Sequence, residues 1–206
     1  VGPDQHHGFE HRLVGDTPGT AYFNADWADE VAGLLKNAMG GSALGFEKSG
    51  AGRTGFQAFD EHVADKTSQW LLNRGTEEQE GTSGRPFMMV AGLFFPHNPW
   101  IAPVDDYEPP HPLHRRMRES AGWDVLDKES QVRVRRAYYA MCTTMDRTIG
   151  QILGALDDSG MADNTIVVYT SDHGESLGRH GIWGKNTFFD ESAKIPPPYT
   201  MAREHR

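Results

Sequence analysis

With one cysteine in 206 residues, the chain can form no intrachain disulfide and no cysteine-cluster metal site. Positive charge is scarce too. Lys and Arg total 20 against 29 Asp and Glu, a formal net charge of −9. No broad basic face is therefore on offer to nucleic acid or an anionic membrane, and an anionic substrate would need a local positive site. Long apolar runs are lacking. None approaches the roughly 18 residues of a membrane span. No charged n-region and apolar h-region open the chain, so nothing near Val1 reads as a signal peptide, and the compartment is left open. What the chain does have in quantity is glycine and proline, 23 and 12 residues. That is about 17% against roughly 12% on average, which predicts a loop-rich protein. Hydrophobic residues at 37% and aromatics at 10% still supply enough apolar surface to exclude a disordered tail.

The pattern along the chain predicts alternating helices and buried strands. Residues 1–25 have no periodicity and read as a loop or lid. Asp26 is placed to cap a helix with Trp27, Val31, Leu34 and Leu35 on one face, stopping before Gly40. Residues 40–56 are Gly-rich and poorly specified. A second helix is predicted over 59–73, with Phe59, Val63, Trp70 and Leu71 inward, followed by a polar connection over 74–85. Phe87 to Phe95 is apolar without alternation, short, and followed by Pro96, the pattern of a strand buried on both faces. Residues 96–127 carry many prolines and read mostly as loop. Val134, Tyr138, Met141, Met145, Ile149, Ile152 and Leu156 draw one apolar stripe on a long helix that Gly160 would end. Thr165 to Thr170 is a β-branched second strand. A helix between two buried strands implies a parallel pair with a right-handed crossover. The predicted class is α/β, with part of a mostly parallel sheet and flanking helices.

In open α/β sheets, ligands bind beyond the carboxyl ends of the strands. The first strand delivers Pro96-His97-Asn98-Pro99 there, and the second delivers Asp172-His173-Gly174-Glu175 and then His180 and Lys185. If the strands are neighbours, His97 and Asp172 share one rim. A carboxylate oxygen and an imidazole nitrogen leaving one strand end can both ligate a divalent metal. Gly174 would ease the turn that places them. Lys185 is a compact point charge suited to an oxyanion. Singly, each has a plainer reading: Asp172 as a helix cap, His97 as a loop residue. Only the combination points to chemistry.

These residues resemble a known family. Within Ile166 to Lys185, the stretch T-S-D-H-G-E-S-L-G-R-H-G-I-W-G-K resembles the C-terminal metal motif of type I sulfatases. The variant is that of the choline-sulfatase and phosphonate monoester hydrolase branch of the alkaline-phosphatase-like superfamily. Pro96 to Pro99 matches a P-H-x-P strand end, Tyr138 to Gly150 matches the helix before the metal motif, and Val1 to Asp16 resembles a segment after a Lys-x-His motif. The resemblance implies an alkaline-phosphatase-like sheet and a sulfuric ester hydrolase. Asp172 and His173 would be metal ligands for one divalent cation, Ca or Mn. Lys185 would contact the sulfate, and His97 would contact the ester and help protonate the leaving oxygen. His180 is carried as a substrate-binding candidate, with loop packing as its alternative. His6 and His7 are assigned no chemistry. The substrate would be a small-molecule sulfate or phosphonate ester, with no nucleic acid or membrane partner and an oligomer possible in the full-length protein.

The family's nucleophile, a formylglycine made from Cys or Ser in C/S-x-P/A-x-R, is not in its place. Cys142 is followed by Thr144 and Asp146 and sits in the apolar stripe. Ser49 to Arg53 matches literally but lies in the wrong order along the chain. Residues 1–195 are therefore read as a partial sulfatase domain, an internal fragment with the formylglycine expected in a preceding part. Residues 196–206 are read as an irregular tail. The chain alone is expected to show no turnover and marginal solubility. A phosphate or phosphonate ester hydrolase of the same fold and a non-catalytic remnant stand as alternatives. The retained residues do not separate sulfate from phosphonate, since both are tetrahedral oxyanions.

Overall fold

Two long helices and their crossing make the core. The computed structural model describes residues 8–14, 46, 49–108, 126–185, 187–195 and 199–201. The helix predicted after Asp26, with His6 and His7, lies outside them. Helix α1 spans Gly55–Gln79. It starts where Thr54 leaves extended backbone and its hydroxyl accepts the Gln57 N–H at 3.2 Å, satisfying one orphan donor of the first turn. Phe56, Phe59, Val63 and Leu71 are buried along its inner face, at the spacing that puts them on one stripe. The helix runs past the predicted end at residue 73. Arg74 pairs with Glu77 and Glu78 at 3.2 and 3.3 Å, and such pairs keep a polar stretch helical.

The long apolar stripe does form one helix, here α3, after the short α2 at Val104–Tyr107. Helix α3 spans Lys128–Asp158. Asp127 caps it, accepting the Ser130 N–H and hydroxyl, both at 2.9 Å. Val134 and Met141 are fully buried against Phe56, Phe59, Val63, Phe95 and Trp100. A second cluster joins Leu71 to Ala155 and Leu156. At Gly75 the residue that caps α3 presses close on α1. A Cβ there would stand 2.3 Å from the Ser159 carbonyl oxygen, so the crossing requires glycine. Gly160, at φ +75°, ends α3 as predicted.

The strands are shorter than predicted. Strands β1 (Gly50–Ala51) and β2 (Ile101–Ala102) run parallel, with Gly50 opposite Ile101. Strand β3, Val167–Tyr169, pairs antiparallel with β4, Tyr199–Met201. β4 falls within the segment read as an irregular tail, and the proline run precedes the pairing rather than interrupting it. The stretch 87–95 joins no ladder among the described residues. Its burial alternates over 87–90. Phe87 and Met89 pack on the helices, whereas Met88 is 78% and Val90 66% exposed. Ile166 and Val168 in and beside β3 are exposed in the same way. The expectation of strands covered on both faces is thus corrected: one face packs on α1 and α3, and no described layer covers the other. Among the described residues, no helix is long and apolar enough to cross a membrane.

Candidate active site

His97 is presented by a loop that the core holds from both sides. Asp60, on the inner face of α1, accepts the Phe94 N–H at 2.7 Å and the Phe95 N–H at 2.9 Å. The His97 N–H donates back to the Phe94 carbonyl at 2.8 Å. The imidazole stands edge-on to the Phe56 and Phe94 rings, with centroids at 5.4 and 6.3 Å. Its Nδ1 lies 2.6 Å from the Asn98 carbonyl oxygen. A ring nitrogen facing a carbonyl carries the hydrogen, so Nε2 is left with a free lone pair. Burial pushes the His97 pKa below the ordinary histidine value. The Asn98 bond opposes that, Lys185 and His173 lower it further, and Asp172 raises it. The charges of Lys185, His173 and Asp172 all reach His97. The loop after residue 95 and the loop after β3 thus lie within electrostatic reach of each other.

The other segment follows β3. The His173 N–H donates to Asp172 Oδ1 at 2.9 Å, and the Ser171 hydroxyl donates to the His173 carbonyl at 2.7 Å. His173 Nδ1 lies 2.8 Å from the Gly174 carbonyl oxygen, so Nδ1–H donates and Nε2 is free. That Nε2 stands 3.4 Å from Asp172 Oδ2. Two donors each about 2.3 Å from one cation and at a right angle would be about 3.3 Å apart, so this donor pair fits a shared divalent ion. The second-sphere bond that fixes the His173 tautomer is of the kind metal-bound imidazoles use. Among the described residues, no group of three or more His, Cys, Asp or Glu gathers around a point. Two ligands leave most of a hard cation's shell to other groups. Gly174 matters for a reason other than the turn chemistry predicted for it. Its N–H donates to the Ser192 carbonyl at 2.8 Å. A Cβ on it would stand 2.1 Å from the Glu191 carbonyl oxygen. The backbone of α4 (Asp190–Ala193) passes too close for any side chain.

Glu175 escaped the sequence reading. Its Oε1 accepts the Leu177 N–H at 3.2 Å and the Gly184 N–H at 2.6 Å. The Ser176 N–H donates to the Gly184 carbonyl at 3.0 Å. One carboxylate thereby folds the chain back and fixes the residue before Lys185. Burial raises the Glu175 pKa, which the Leu177 and Gly184 N–H bonds and the charges of Lys185 and His173 oppose. Trp183 completes the junction. It packs against Trp100 at 6.3 Å, and the Arg135 guanidinium of α3 lies 5.3 Å over its ring. Trp100 ends the His97 loop, so the two loops touch through their tryptophans.

With this geometry established, comparison with known proteins names the frame. A sequence profile of the family described as Sulfatase matches residues 5–198. The chain belongs to the sulfatase family. It is 29% identical over 221 residues to a choline-sulfatase of Rhizobium meliloti (strain 1021), covering 95% of this chain and 42% of that protein. It is 33% identical over 149 residues to iduronate 2-sulfatase of Mus musculus, covering 58% and 27%. The crystal structure of the sulfatase yidJ from Bacteroides fragilis superposes with a TM-score of 0.56 at 29% identity, over 66% of this chain and 30% of that one. The chain spans less than half the length of these relatives. Its α/β architecture is part of the alkaline-phosphatase-like fold of the sulfatases.

Two further residues fall into place within the sulfatase frame. His180, at φ 55°, stacks its ring on Phe189 at 4.4 Å and sets Nε2 3.5 Å from Glu191 Oε2. It is engaged with the α4 side of the loop rather than with His97, His173 and Lys185. Cys142 lies in α3, where burial pushes its thiol up to about 11, so at neutral pH it is a thiol and no nucleophile. The Ser49–Arg53 stretch is built into β1, with Ser49 buried and Arg53 paired to Glu61. Neither place fits a formylglycine precursor.

Proposed function

We propose that this chain carries the metal and oxyanion side of a sulfuric ester hydrolase site. The reading rests on one observation, that the charges of Lys185, His173 and Asp172 converge on a half-buried His97 in a member of the sulfatase family. Asp172 and His173 would hold a divalent cation, Ca²⁺ or Mn²⁺, which when bound neutralises sulfate charge. Lys185, set by the Glu175 clamp, holds a sulfate oxygen where negative charge develops. His97 sits neutral in the free protein with Nε2 open. An arriving sulfate anion favours the imidazolium, so Nε2 gains a proton that it can donate to the ester oxygen as the alkoxide leaves. The substrate is a small-molecule sulfate ester.

The test begins with binding. Titrating Mn²⁺ or Ca²⁺ into the chain should give weak saturable binding that D172A abolishes, and equal binding in both would overturn the metal assignment. In a form of the protein that turns over 4-nitrophenyl sulfate, H97N and K185A should each lower kcat/KM by about 10²-fold or more. Turnover of an aryl phosphonate with none of an aryl sulfate would move the reading to phosphonate esters.

A further inference from the structure

Asp60, 3% exposed, is the most deeply buried acidic residue among the described residues, yet it belongs to no motif. Its carboxylate is spent on two consecutive backbone N–H groups, Phe94 on Oδ1 and Phe95 on Oδ2. An apolar side chain would fill the same space without the cost of desolvating a carboxylate, so packing alone does not call for an acid here. Two bonds to neighbouring peptides fix both peptide planes. The second of those planes also carries the Phe94 carbonyl, and that carbonyl accepts the His97 N–H at 2.8 Å. A continuous hydrogen-bonded path therefore runs from the Asp60 carboxylate through one peptide group to the His97 backbone, and each bond polarises the next. One turn earlier on the same helix, Phe56 stacks on Phe94 at 4.5 Å and meets the His97 ring edge-on at 5.4 Å. Helix α1 thus grips both the backbone and the imidazole.

We propose that Asp60 is a positioning residue for His97, setting the depth and direction at which the imidazole faces Asp172, His173 and Lys185. The catalytic consequence rests on the role proposed above for His97; the positioning does not. Burial raises the Asp60 carboxyl to about 6, against the pull of the Phe94 and Phe95 amides, and neighbouring Glu61 on α1 adds to the rise.

The test reads position before activity. In the isotopically labelled chain, with the His97 ring signal assigned through H97N, the wild-type Asp60 carboxyl carbon is titrated while the Phe94, Phe95 and His97 amides are followed. All three amides should move with the carboxyl in one transition, and a carboxyl that titrates without them would overturn the proposal. D60N keeps one acceptor but turns an N–H₂ toward a backbone N–H. It should move the His97 ring midpoint by about half a pH unit and raise amide exchange at Phe95 and His97 by about tenfold. A folded D60N with the wild-type His97 ring midpoint would also overturn the proposal. If D60N fails to fold, the wild-type titration still decides. In a form that turns over 4-nitrophenyl sulfate, D60N should lower kcat by about 10²-fold with KM nearly unchanged. An unchanged kcat in D60N would count against the catalytic role proposed for His97 and leave the amide result standing.

Discussion

The His97 loop and the loop over 171–185 reach one place by opposite means. The first is an extension of the core. Its backbone hangs on a buried carboxylate, its ring lies on Phe56 and Phe94, and Trp100 at its end is 2% exposed. The second is half-buried for most of its length and, apart from the contacts of Trp183 and Leu177 with Trp100 and Arg135, is held by its own folding back. Asp172 has an 85% exposed side chain, and order comes from the Glu175 clamp and from the backbone of α4 against Gly174. The difference suits the chemistry proposed for each. A histidine that has to shed and regain a proton gains from a desolvated seat. A cation site recruiting ligands from elsewhere has to face outward.

The largest effect should come from striking the second loop where it has no slack. Gly174→Ala places a Cβ 2.1 Å from the Glu191 carbonyl oxygen, and backbone cannot rotate away as a side chain can. The cost expected is about 1–3 kcal/mol of overpacking, taken up locally, with Mn²⁺ binding lost while the α1–α3 core still melts cooperatively. Calorimetry alongside metal titration checks this. Retained metal affinity in Gly174→Ala would mean that α4 is no anchor, and the contrast between the loops would collapse.

That result bears on what could be read from sequence. The helices were legible because burial imposes a period, and Val134 to Leu156 shows it plainly. The candidate site residues could be proposed because Asp172, His173 and Lys185 follow one predicted strand and His97 another. The anchors were not. Asp60 lies in an ordinary amphipathic helix, and its partners are backbone amides 34 and 35 residues away, which leave no trace in side-chain pattern. Glu175 stands beside the motif, but only folding brings the Gly184 N–H to it. Gly174 was noticed for the wrong reason, because close approach of another backbone has no local signature. The strands at 87–95 and 165–170 read as buried on both faces since an apolar run looks the same whether one face or two are covered.

The comparison sharpens with pH, because His97 of the first loop and Asp60, the α1 residue that anchors it, pull in opposite directions. Asp60 has a folded pKa of about 6 against an ordinary 3.8. The fold therefore prefers it protonated, and stability falls as pH rises from about 4 to about 6, by about 3 kcal/mol in all. His97 has a folded pKa below its ordinary 6.5. The fold prefers it neutral, so it contributes stability above 6.5 that is lost as pH falls through the folded value. Denaturant melts across pH 4 to 8 should show D60N flattening the fall at the acid end and H97N flattening the rise toward neutrality. Identical profiles for wild type and both variants would show that neither group is desolvated by this loop.

The smallest effect belongs to His180, and it separates loop packing from a place in the pocket. His180→Ala removes a half-exposed ring stacked on Phe189 and a 3.5 Å approach to Glu191, whose carboxylate keeps Arg179 at 2.9 Å. An aromatic pair is worth about 0.5–1.5 kcal/mol when buried and less in solvent, and the exposed approach to Glu191 adds little. The variant should lose well under 1 kcal/mol on these terms and bind Mn²⁺ as wild type does, because Arg179 still holds Glu191 and the α4 backbone still seats Gly174. The informative reading is KM for a sulfate ester. If it holds, His180 braces the outward loop against α4 as Arg179 does, and all the substrate contact on this side comes from Lys185 and His97. If it rises tenfold with stability intact, the ring leaves Phe189 to meet substrate, and the second loop moves on binding where the first does not.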